Sequence, residues 1–96
     1  MNYTEEKILV KAKKVLKDLN PAYFNEENIS KIEYNEKDEV ARPVGEIINT
    51  WVVVVNEPVF DSLDFLVFSD ISGEPLYIQS KHSIHEIKKD SNGNYY

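Results

Sequence analysis

The sequence predicts an α+β domain, an N-terminal helix lying across one face of a curved antiparallel sheet of four or five strands. Three observations lead there. Apolar residues recur at helical spacing through the first twenty positions. From residue 30 onward, short runs rich in β-branched and aromatic residues are bounded by turn residues. The connections between those runs are short enough for antiparallel neighbours. A chain of 96 residues holds one domain with one modest core, and its lack of cysteine removes disulfide scaffolds, thiol catalysis and cysteine-rich zinc sites.

Thr4 is placed to cap a helix over about 4–20. Glu5 and Glu6 lie at the positive end of its macrodipole, and Tyr3 and Ile8 occupy the positions of a hydrophobic staple. Ile8, Ala12, Val15, Leu16 and Leu19 form its apolar stripe, with Leu9 at the edge and lysines around the rest. Asn20-Pro21 ends it. Residues 21–29 form a connector with room for a short helical turn, anchored by Tyr23, Phe24 and Ile29. The sheet spans about 30–88, with strands at 30–37, 46–56, 63–69 and 75–80 and a possible fifth at 83–88. Asp38 to Gly45 reads as a charged loop, Pro58 as the end of the longest strand, and Asp70 to Glu74 as a hairpin turn with Gly73 placed for a positive φ. The polar tail 89–96 is expected to fray.

In Trp51-Val52-Val53-Val54-Val55 and Phe65-Leu66-Val67-Phe68 both faces of the strand are apolar, whereas a sheet with one solvated face should alternate. A helix of roughly 24 Å shields one face only. The second needs a cover: the 21–29 connector through Tyr23 and Phe24, a second copy of the chain, or another protein, in that order. Trp51, in the middle of the longest strand, is expected in the core with a partner for its indole N–H.

The net charge of -6 disfavours nucleic acid as a partner. Between Glu26 and Glu74, twelve carboxylates against Lys31, Lys37 and Arg42 leave -9, while the rest of the chain carries +3. Such a one-signed field attracts basic partners. Glu36, Asp38, Glu39, Glu57, Asp61 and Asp64 are the candidate partner-binding residues, expected to project from loops around the long strand. No apolar run approaches the roughly 20 residues that cross a bilayer, and the polar, acidic start lacks a secretory pattern, so a cytoplasmic location and no membrane partner are expected.

Catalytic chemistry is not visible. His82 and His85 are too sparse for a metal centre and read as residues of an edge strand. The acidic segment at Asp38 lacks the calcium-loop pattern, no Gly-x-Ser-x-Gly occurs, and three glycines provide no phosphate-cradling loop. Neither a cofactor, a metal nor an enzymatic activity is therefore expected.

An N-terminal helix, a strand, the tryptophan-led strand at Trp51 and a hairpin closed by Asp70-Ile71-Ser72-Gly73-Glu74-Pro75-Leu76 together resemble small cystatin-like domains. Two such groups are PepSY-type domains and the small cytoplasmic immunity proteins that accompany bacterial polymorphic toxins. The second resemblance implies a non-enzymatic acidic protein-binding module, an immunity-type inhibitor of a basic toxin such as a nuclease. The alternatives are a homodimeric structural or regulatory module joined through a sheet face, and a small enzyme or ligand-binding domain with a pocket between helix and sheet lined by Tyr34, Trp51 and Tyr77.

Overall fold

Helix α1 (Glu5–Leu19) begins where Thr4 Oγ1 accepts the Lys7 N–H at 3.2 Å and ends where the Asn20 N–H closes on Leu16 O at 3.0 Å. The computed structural model, which describes residues 1–57 and 61–96, packs this helix on a five-stranded antiparallel sheet that is not closed into a barrel. The strands are β1 (Ile29–Glu39), β2 (Ile47–Glu57), β3 (Ser62–Ser69), β4 (Pro75–Gln79) and β5 (Ile84–Glu86), each paired with the next in sequence. A single 3-10 turn, Glu26–Asn28, precedes β1. The expected end of the long strand at Pro58 falls outside the described residues.

β1 runs two residues further than its alternation suggests. A bulge between Asn35 and Asp38, with Lys37 at φ +52° and its N–H donated to Asn49 Oδ1, resets the register so that Asp38 and Glu39 still pair with Ile48 and Ile47. On the helix side, Ile8, Ala12, Val15 and Leu16 meet Trp51, Val53, Leu66 and Phe68, all buried. At about 1.5–3 kcal/mol for each large side chain removed from water, this layer dominates the folding energy.

The second face is covered differently from expectation. The connector stays on the helix side, where Phe24 and Ile29 pack on the main core and Tyr23 is 77 % exposed. A partial cover comes instead from Val40 and Ala41, where the chain folds back after β1, while Leu63 and Phe65 on the same face stay 47 % and 38 % exposed. The Val40 N–H reaches Glu46 O at 2.9 Å, the Ala41 N–H reaches the Tyr77 hydroxyl at 3.2 Å, and Val40, only 2 % exposed, buries against Val67 and Tyr77. The same fold-back supplies apolar contact and partners for the Val40 and Ala41 backbone donors at once. Val54, on the same face, is 3 % exposed.

The tail is also ordered rather than frayed. Lys88 and Tyr96 exchange backbone hydrogen bonds at 2.9 Å, and the Asp90 carboxylate accepts the N–H groups of Asn92 and Asn94. This turn delivers Tyr95 to the helix, where its N–H donates to Asp18 Oδ2 at 3.1 Å and its hydroxyl to Glu74 Oε2 at 2.7 Å. Burial, then the Glu74 carboxylate, push the Tyr95 phenol far above its usual range.

Candidate binding cleft

Helix and sheet differ in length, and that difference makes the cleft. Fifteen helical residues span about 22 Å, whereas eleven strand residues span about 36 Å. The helix starts near the β3–β4 turn, where Asn2 and Tyr3 bond to Asp70, and stops before the far end of β2. Beyond Leu19 the chain turns sharply, with the Tyr23 and Phe24 N–H groups donating back to Asn20 O. The connector then runs beside the sheet instead of over it. A hollow of about 660 Å³ remains, with Leu16 and Leu19 as one wall, Tyr23 and Phe24 as a second, and Val55 and Ile78 as the floor.

Two carboxylates and an imidazole border it: Glu57, Asp64 and His85. Register puts Asp64 directly opposite Val55 and Glu57 opposite Ser62, so the two carboxylates are diagonal neighbours on the helix face. His85 reaches the same face because it pairs with Ile78, which pairs with Leu66. Burial raises the Asp64 pKa above its usual value, and the neighbouring Glu57 charge raises it further. Among the described residues, Asp64 has no hydrogen-bond or ion-pair partner, and no Lys or Arg lines the hollow.

The six acids singled out in the sequence do not form one surface, nor do they project mainly from loops. Glu36, Asp38 and Glu39 belong to β1, Glu57 to β2 and Asp64 to β3, leaving only Asp61, at φ +49°, in a turn. Because β1 and β2 run antiparallel, the first three lie at the opposite end of the sheet from the others. Asp38 is half-buried and accepts the Thr50 hydroxyl at 2.8 Å. Only Glu57 and Asp64 border the hollow.

The aromatic pocket is also different. Tyr34 and Trp51 pack with ring centroids 5.0 Å apart on the helix face, while Tyr77 belongs to the cluster on the other. The cleft residues that sequence reasoning missed, Leu19, Tyr23, Phe24 and Ile78, carried one usable cue: the helix had to stop at Pro21 while the strands ran longer. Among the described residues no cluster of three His, Asp or Glu side chains could hold a metal ion, and no helix is long and apolar enough to cross a membrane. No family model matches the chain, and neither does any curated protein or solved structure.

Proposed function

We propose that the chain is a non-enzymatic binding domain whose ligand sits in the cleft between the end of α1, the connector and β2–β5. One observation carries this: apolar walls surround a hollow large enough for a small molecule, and an unpartnered, half-buried carboxylate stands at its edge. Leaving Asp64 partly desolvated beside another acid costs stability, and such groups concentrate where a protein binds something. The surrounding chemistry is that of recognition, apolar contact plus one sign of charge.

The test is a thermal-shift screen of small organic compounds followed by amide-resolved NMR. Ligands that raise the melting temperature should shift the signals of Leu19, Val55 and Ile78, and Val55→Trp, which fills the hollow, should abolish the effect. Binders that shift only other surfaces, or a full screen without stabilisation, would overturn the reading.

Capture of a basic protein, as an immunity-type inhibitor would do, is a second reading. It is favoured by the -9 charge between Glu26 and Glu74 and by the exposure of Glu36, Glu39 and Asp61. Its signature is an association rate that falls as salt rises while dissociation changes little. A dimer through the second sheet face would have to use Leu63 and Phe65, because Val40 and Ala41 already pack on Val67 and Tyr77.

A further inference from the structure

We propose that the cleft takes a small protonated organic amine carried on an apolar body. This rests on the cleft being the binding site and names the class of its ligand. The apolar walls select the body, since Leu16, Leu19 and Phe24 on one side and Val55 and Ile78 on the other offer an organic molecule more contact than water. The charge selects the head. Asp64 and Glu57 stand diagonally across β2 and β3, and their mutual repulsion adds to the burial penalty on Asp64. A cation brought between them relieves both costs. A neutral ligand relieves neither, and an anion adds a third like charge.

Among the described residues no Lys or Arg borders the hollow, and its basic side chain is the His85 imidazole. On the helix, Lys13 is held by Glu26 at 3.2 Å and Lys14 by Asp18 at 2.8 Å. The rings of Tyr23 and Phe24 add a wall that attracts organic cations more than anions. A bare divalent ion fits poorly, because it would want three or more oxygen or nitrogen ligands and no such group exists among the described residues. Walls from helix, connector and sheet favour a free small molecule over a lysine tethered to a partner protein, because its apolar body can lie against all three.

Three matched probes separate the contributions: 4-phenylbutylamine, 4-phenylbutanol and 4-phenylbutyrate, titrated into the full chain at pH 7 and followed by NMR. The amine should bind at least about tenfold more tightly than the alcohol and the carboxylate least, with shifts at Val55, Asp64 and Ile78. In Asp64→Asn the amine should lose most of its advantage over the alcohol, while the alcohol is unchanged, which also shows that the variant remains folded. Glu57→Gln should weaken the amine in the same sense. Equal binding of amine and alcohol in the wild type would sink the amine proposal and leave the cleft intact. Binding of none of the three would remove both. A trilysine peptide that shifts the same signals as strongly as the amine would make the partner a protein and overturn the small-molecule assignment.

Discussion

The indole N–H of Trp51 donates to the Asp70 carboxylate at 2.8 Å inside the core, and the same carboxylate accepts the backbone N–H groups of Asn2 and Tyr3. Asp70 is 1 % exposed. One charge therefore ties the middle of β2, the β3–β4 turn and the approach to α1 together. Burial alone would push its pKa up, but the hydrogen bonds from Trp51, Asn2 and Tyr3 more than reverse this and hold it below 3.8.

Removing that acceptor should be among the most damaging single changes in the chain. Asp70→Ala strands a buried indole N–H and is expected to cost about 3 kcal/mol, with Asp70→Asn costing less because its amide oxygen still accepts. The folded pKa is depressed, so the contribution is present above the unfolded value near 3.8 and is lost as pH falls through the folded value. Urea titrations followed by Trp51 fluorescence should show the gap between wild type and Asp70→Asn narrowing from pH 7 to pH 3. A gap independent of pH would mean that the charge contributes nothing.

Gly73 and Gly45 provide a matched comparison, with φ of +71° and +78°. At Gly45 a methyl group meets no atom within 4 Å, so Gly45→Ala should cost only the backbone term, about 1–2 kcal/mol. At Gly73 the Tyr3 ring occupies the space a Cβ would need, and its hydroxyl donates to Ser72 O at 2.9 Å. Gly73→Ala should cost clearly more, and part of the excess should vanish when Tyr3→Ala is added. Equal melting temperatures for the two alanine variants would show that Tyr3 moves aside freely.

The local elements were legible because local chemistry decides them. Thr4, the stripe from Ile8 to Leu16 and the turn at Gly73 each satisfy short-range rules, and Trp51 took the core position its strand implied. What stayed hidden depends on residues far apart in sequence. Nothing near Val40 reveals that a charged loop will fold over Tyr77, and Asp70 looks like any turn aspartate until Trp51 is placed beside it. Asp38 and Glu39 were assigned to a loop because the end of the strand was set by alternation, which a bulge at Lys37 outruns. The cleft follows from the difference in length between helix and strands, a quantity the sequence did contain.

Tyr95 tests whether the tail is part of the fold. It joins the main core, bonds to Asp18 and Glu74, and has Lys14 and Lys89 over its ring at 5.8 and 5.3 Å. Tyr95→Ala should destabilise by about 2–4 kcal/mol and Tyr95→Phe by about 1 kcal/mol, because only the hydroxyl bond to Glu74 is lost. Hydrogen exchange should then accelerate at Lys88 and Asn94 first. A Tyr95→Ala protein with wild-type stability would return the tail to the frayed state its composition suggests.

Asp64 should respond to pH in the opposite sense from Asp70. Burial and the Glu57 charge raise its folded pKa above the unfolded value of 3.8, so the native state holds the proton more tightly than the unfolded chain does. Stability from this group therefore falls as pH rises through the interval from 3.8 to the folded value, and the penalty is fully present at neutral pH. The carboxylate and imidazole that share the hollow with it are Glu57 on β2 and His85 on β5. α1 and the connector present Leu16, Leu19, Tyr23 and Phe24. Asp64→Asn should accordingly melt slightly higher than wild type at pH 7, with the advantage shrinking towards pH 4. A gain in stability together with a loss of cation binding is the pattern of a residue kept for recognition, since a purely structural carboxylate would lose stability on neutralisation. Thermal melts of both proteins at pH 4 and pH 7 decide it, and a variant that melts lower than wild type at pH 7 would make Asp64 a structural residue.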